Sequence, residues 1–242
     1  MIGLGFGNFQ AVTQAPFSFG NALQFDGVND FVNFNERYLT GKSQFTINLW
    51  FYRENSGSAS RQYIFWHGSF NNYGVAIGVN FDTSNKLGCR ARNSGTEVQL
   101  ISTSDIPINS WQFVSFVFDS VNDQHYLFLN GVQEASSTVN ASTVSARTAS
   151  GLGADMSNSS SLNFIFQGRT DELSIVDTPL TLTNHQTLYN NGNGYLATDL
   201  FTPDRYYQFN EDDGETTLID TMGNQNGTLN NFSTPPAYFI PH

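Results

Sequence analysis

The chain has 242 residues, 22 of them Phe, a single Cys and a formal charge of −11. That is enough aromatic material to fill a core without a disulfide framework. The acidic balance, with no clustered Lys and Arg, argues against a nucleic-acid backbone as partner and against a basic membrane-binding face. Met1 to Gln10 lacks a basic segment followed by a long apolar one, so no export signal is expected there. No apolar run is long enough to insert across a bilayer.

Residues 1–20 are rich in Gly and Phe and read as an extended arm. Gly3, Gly5 and Gly7 have neither the preceding strand nor the following helix of a phosphate loop. Leu23-Gln-Phe25 opens the regular structure, Asp26 to Asp30 is a turn, and Phe31 to Phe34 is the return strand. Phe45 to Tyr52 alternates Phe45, Ile47, Leu49 and Phe51 against Thr46, Asn48, Trp50 and Tyr52. Tyr63–His67, Tyr73–Val79, Lys86–Arg92 and Glu97–Ser102 are further strands separated by Asn, Gly and Ser turns. Cys89 falls in one of them and reads as a small packed side chain.

Trp111 to Asp119 is apolar on both faces: Trp111, Phe113 and Val117 point one way, Val114, Phe116 and Phe118 the other. Such a strand is covered on both sides. His125 to Leu129 ends at Asn130-Gly131, the positive-φ pair of a type I′ turn, so Val132 to Ala135 should pair back against it. This meander is expected in the middle of the sandwich. Ser136 to Ser161 reads as an expanded loop, followed by strands at Asn163–Gly168 and Asp171–Val176. The helix expected at Thr183–Asn190 has capping-box spacing at Thr183 and Gln186, and Gly192 beyond it for a positive φ. It should plug one end of the sandwich. A late strand at Arg205–Phe209, turns at Glu211–Gly214 and Asp220–Gly227, and an extended tail over 235–242 complete the chain. The fold expected is all-β, an antiparallel β-sandwich with one short helix, over residues 21–234.

Trp66-His-Gly-Ser-Phe-Asn-Asn-Tyr73 mixes aromatic faces, which stack on sugar rings, with carboxamides, which bond hydroxyls in pairs. Trp66, Phe70, Asn71, Asn72 and Tyr73 are therefore the expected ligand-binding residues. Against this, Trp66 and Tyr73 end two strands, where aromatic rings usually belong to the core. The four His (67, 125, 185 and 242) have no paired zinc-ligand spacing, and neither a serine-nucleophile elbow nor a catalytic-thiol signature is present.

Several stretches, in order, resemble the laminin-G-like/concanavalin A-like lectin jelly rolls: Ala22 to Phe34, Phe45 to Phe51, Trp111 with Tyr126-Leu-Phe-Leu-Asn-Gly131, Gly168 to Ile175, Pro179-Leu180, and Leu188 to Gly192. The likeness covers about residues 20 to 195. The remainder, Arg205 to Glu215 and Ile219 to Leu229, looks like the strand and turn that open such domains. Its place after the closing helix is similar to lectin-like modules in bacteriophage virion proteins. Either it completes the sandwich or it is a truncated second module. Completion is preferred, since Tyr206, Tyr207 and Phe209 need somewhere to bury.

The resemblance implies a rim calcium ion, for which Asp26, Asn29, Asp30, Asp171 and Glu172 could supply hard oxygens. It also points to Glu211-x-Asp213-x-Glu215, the carboxylate spacing of β-glucanases of the same broad fold. There the motif needs a strand, whereas Asp212 and Gly214 favour a turn, so no catalytic residue is expected. The expected function is a non-enzymatic virion surface protein (fibre, spike or head decoration), made in the host cytoplasm, whose lectin-like domain adheres to host-surface carbohydrate. Its partners would be that glycan, other virion proteins and further copies of itself. The alternatives are a purely structural virion component without ligand and, further behind, a polysaccharide-cleaving enzyme.

Overall fold

The computed structural model describes residues 18–54, 60–69, 73–81, 85–93, 95–145, 150–157, 162–233 and 237–242. The strands, in chain order, are β1 (Asn21–Asp26), β2 (Phe31–Asn33), β3 (Gln44–Arg53), β4 (Gln62–Ser69), β5 (Tyr73–Val79), β6 (Lys86–Asn93), β7 (Thr96–Asp105), β8 (Trp111–Asp119), β9 (His125–Leu129), β10 (Val132–Ser137), β11 (Ser150–Leu152) and β12 (Gln167–Val176). Helix α1 (Leu182–Tyr189) follows, then β13 (Arg205–Tyr207), β14 (Thr217–Leu218), β15 (Gly227–Asn230) and β16 (Phe239–Pro241). They form two antiparallel sheets. The front sheet runs β10-β9-β8-β3-β12-β1-β16, with β13 also paired to β12, and the back sheet runs β14-β15-β2-β11-β4-β5-β6-β7.

The inner faces meet in one aromatic and aliphatic core. In the front sheet Ile47 pairs with Phe116 and Phe45 with Phe118. In the back sheet one row of the register reads Leu152, Phe65, Ile77, Cys89 and Leu100, all in the core. Alternation along each strand thus fixes which face is buried, and burial holds the Cys89 thiol well above its ordinary pKa. Where β7 and β10 meet at one edge, the Glu134 carboxylate accepts the backbone N–H groups of Thr103 and Ser104, both at 2.9 Å, and both their hydroxyls. Among the described residues no helix is long and apolar enough to cross a membrane.

Several expectations are corrected. The meander lies at the edge of its sheet, because among the described residues β10 ends the strand order beyond β9. The second cover on β8 is an outer aromatic layer, including Trp50, Phe113 and Tyr206. Asn163 makes only an isolated bridge to Asp155, and β12 runs unbroken from Gln167 to Val176. Ser150–Leu152, read as loop, is β11.

Helix α1 begins one residue before the expected span, and its cap lies two residues before Thr183. Thr181 is the N-cap and pairs reciprocally with Asn184, an amide doing the work expected of Gln186. Its C-cap is Asn190 in the left-handed region, φ +47°. Leu188 and Tyr189 pack on the outer face of the front sheet rather than at the end of the sandwich. The residues after 205 enter both sheets, with Tyr206, Tyr207 and Phe209 buried. Phe239–Pro241, within the tail expected to be extended, forms an edge strand on β1. Of the arm expected over 1–20, residues 1–17 lie outside the described residues.

Candidate functional site

Trp66 lies on the outward face of the back sheet, in a row that reads Asn33, Gly151, Trp66, Ala76, Arg90 and Gln99 across the strands. The outward positions of β5 are Gly74, Ala76 and Gly78, and the small side chains leave room for rings laid flat above them. A Cβ at Gly78 would sit 2.3 Å from the Gln62 carbonyl oxygen and 3.0 Å from the Tyr63 ring. One at Gly88 would sit 2.3 Å from Phe81. Tyr63 and Trp66 stack at 5.1 Å, Phe81 joins them, and Met156 and Phe164 pack over the group. The Arg61 guanidinium lies 4.3 Å above Phe81 and that of Arg90 at 5.5 Å, and both donate to the Tyr63 hydroxyl. Trp66 is 2% exposed, so its ring turns no face to a ligand. Phe70, Asn71 and Asn72 lie outside the described residues, and Tyr73 is placed by its backbone at the start of β5.

The five oxygen donors expected for calcium fall in two places. Asp26 Oδ1 accepts from the N–H groups of Val28 (2.7 Å) and Asn29 (3.3 Å), and Asp30 Oδ2 accepts from that of Asp26 (2.9 Å). Burial pushes the Asp30 carboxyl up to about 6. Asp171 and Glu172 sit instead at a bulge in β12, where the register slips before Ser174 and Glu172 takes φ +52°. The register puts Asp26 opposite Gln167, four residues and roughly 13 Å along β12 from Asp171. The donors therefore do not fit a single ion. Among the described residues no group of three or more His, Cys, Asp and Glu could hold a metal.

The bulge serves the fold. Asp171 Oδ2 lies 2.7 Å from His242 Nδ1, and the imidazole is stacked between Phe19 (3.6 Å) and Trp111 (3.7 Å). The Tyr206 hydroxyl donates to Glu172. Burial raises the Asp171 carboxyl, helped by neighbouring Glu172, and lowers the His242 imidazole to about 4. Both shifts favour uncharged partners, a carboxyl donating to an imidazole. Burial also lifts Glu172 to about 7 against the pull of the Tyr206 bond.

Glu211-x-Asp213-x-Glu215 lies outside any strand. Glu211 accepts the Ile219 N–H (2.8 Å), Asp213 accepts the Tyr238 N–H (2.9 Å), and the Glu215 carbonyl accepts the Tyr238 hydroxyl (2.9 Å). The motif fastens the C-terminal strands and presents no row of carboxylates on a sheet.

One feature was not anticipated from the sequence. A cleft of about 430 Å³ opens between α1 and the β9–β10 turn, bordered by Asn130, Thr183, Gln186, Tyr189 and Asn191 among others. Asn130 and Gly131 have φ +51° and +73°, the type I′ pair. Asn190, Asn191 and Gly192 are three consecutive left-handed residues, φ +47°, +53° and +91°. The run Asn-Asn-Gly after a helix was the available signal, since Asn and Gly tolerate that region.

The family model described as the concanavalin A-like lectin/glucanases superfamily (laminin-G type) matches residues 26–186. That is about two thirds of the chain, and the protein belongs to this superfamily. Among solved structures, a candidate carbohydrate-binding protein from Bacteroides ovatus is similar at 17% identity and a TM-score of 0.69, over 90% of this chain and 60% of that one. The chain thus spans about 60% of that protein's length. A heptameric SAP-like pentraxin from Limulus polyphemus matches at 15% identity and 0.55, over 70% and 82% of the two chains. The CBM40 module of a Ruminococcus gnavus sialidase, bound to α2,3-sialyllactose, matches at 16% and 0.53, over 70% and 94%. At these identities the likeness is one of fold. No curated protein matches the sequence.

Proposed function

We propose that the chain is a lectin-like module that binds carbohydrate without transforming it, carried on the surface of a bacteriophage particle as a fibre, spike or head decoration. The carrying observation is that the sandwich of this superfamily is present while its strand-spaced acidic motif is spent on holding Ile219 and Tyr238. Glycoside hydrolysis needs two carboxyl groups facing each other across the scissile bond. Support for a sugar ligand comes from proteins of like fold, one described as a candidate carbohydrate-binding protein and one bound to sialyllactose. The particle surface rests on the resemblance in segment order after residue 195.

A glycan array with the purified protein, paired with a reducing-end assay on bound polysaccharides, tests the reading. Binding without cleavage is expected. Cleavage that disappears in Glu211→Gln would overturn it. Mass spectrometry of purified particles tests the location. The second reading, a structural virion part without ligand, takes over if the assembled protein binds nothing on an array where an oligomeric lectin is active, because weak single sites gain from multivalency.

A further inference from the structure

We infer that the cleft between α1 and the β9–β10 turn is the sugar site, and that it takes an uncharged, hydroxyl-rich saccharide unit without a metal ion. The inference rests on the carbohydrate-binding reading and gives it a place and a ligand class. The nine residues that border the cleft include four carboxamides and three hydroxyls and no charged group, in a chain with 21 acidic residues. A carboxamide sets a donor beside an acceptor, which matches two adjacent sugar hydroxyls. A charged sugar would find no counter-charge here, and a cation no carboxylate. The volume of about 430 Å³ is in the range of small-ligand sites.

The groups divide into fixed and free. Asn130 is fixed: its Oδ1 accepts the Phe113 N–H (2.9 Å) and its Nδ2 donates to Gln112 (2.8 Å). Tyr189 rests on Trp50 at 5.7 Å. A Cβ at Gly131 would lie 3.3 Å from the Gln186 Cα, so the turn and the helix are seated on each other. The side-chain amides of Gln186 and Asn191, by contrast, make no hydrogen bond among the described residues. The Asn190 N–H bond to the Gln186 carbonyl holds the left-handed run that presents Asn191. Two unspent amides on a fixed frame are the arrangement that ligand hydroxyls need.

The test is a chelator-treated glycan array carrying neutral, sialylated and uronate oligosaccharides, probed with wild type, Gln186→Ala and Asn191→Gly. Glycine keeps the positive φ while removing the amide, and Gln186 is exposed, so both variants should fold, which circular dichroism checks. Expected are wild-type binding to neutral glycans in chelator and a loss of tenfold or more in each variant. Wild-type binding left unchanged by both substitutions would overturn the cleft and leave the lectin reading standing. Binding confined to acidic glycans, or abolished by chelator, would overturn the ligand class. No binding to any glycan by wild type would remove the lectin reading itself.

Discussion

Both outward faces of the sandwich are aromatic, yet they are sealed differently. Over the back sheet, Tyr63, Trp66 and Phe81 lie on the small residues of β5 and β6 and are covered by Met156 and Phe164 and by the guanidinium groups of nearby strands. Over the front sheet, Trp50, Phe113 and Tyr206 are covered by Phe19, by Leu188 and Tyr189 of α1, by Leu196 to Phe201, and by His242. The first seal is built from β4 to β6 and the segment that follows β11. The second is assembled from segments as far apart in sequence as Phe19 and His242. The front face should therefore be the one that loosens first.

The largest effect expected is from truncating the ring at the heart of each layer. Trp50→Ala and Trp66→Ala should each cost about 3–5 kcal/mol in urea unfolding, the range for buried aromatics. A cost below about 1 kcal/mol for Trp66→Ala would mean that the back layer is not sealed, and the comparison would break.

Next comes the acid–histidine pair of the front face. Asp171→Ala leaves the His242 ring nitrogen without its partner and should cost about 1–3 kcal/mol. Asp171→Asn preserves a neutral donor and should cost less than half as much. Equal losses would show an ion pair in place of a neutral bond.

The pH profile sharpens the same point. Burial lowers His185 and His242 to about 4, below the usual imidazole value. Their neutral forms are favoured by folding, so stability present above about pH 6.5 is lost as pH falls through 4, by up to about 3 kcal/mol for His185. Glu172 works the other way: raised to about 7, it is most stabilising when protonated, below about 4.5, and that stability is lost as pH rises through 7. Unfolding midpoints against pH should therefore peak on the acid side of neutrality, and Glu172→Gln should flatten the alkaline limb.

The smallest effect is Thr181→Ala, which removes the α1 cap at about 1 kcal/mol. Hydrogen exchange should quicken in α1 and leave β4 to β7 unchanged. Equal quickening in both sheets would mean that the two layers open together.

Much of the fold was legible because its signals are local. Val114, Phe116 and Phe118 alternate with Phe113 and Val117, and Asn130-Gly131 can turn only one way. What periodicity does not contain is the identity of the cover. Both faces of β8 read as buried, but the cover comes from α1 and His242, so the meander was expected in the interior when it is at an edge. Trp66 read as an ambiguous strand-end ring for the same reason: Met156 and Phe164, which cover it, carry no local mark of doing so. Asp171 and Glu172 read as oxygen donors, yet the bulge that turns Asp171 to His242 depends on a partner far along the chain. The cleft joins a turn and a helix that are distant in sequence, and only the Asn190-Asn191-Gly192 run announced it.

The corner where β7 meets β10 has a consequence for the protein in a crowded setting. Edge strands are templates on which a foreign strand can add and start a fibril. Here one Glu134 carboxylate already occupies the N–H groups of Thr103 and Ser104. Bonds to those two residues hold it below the usual carboxylate range although burial pushes the other way, so it keeps its charge in weakly acidic surroundings. An incoming strand would have to displace an anion before it could pair. Protection against cross-β aggregation at this corner thus comes from one carboxylate placed at the seam of the two sheets.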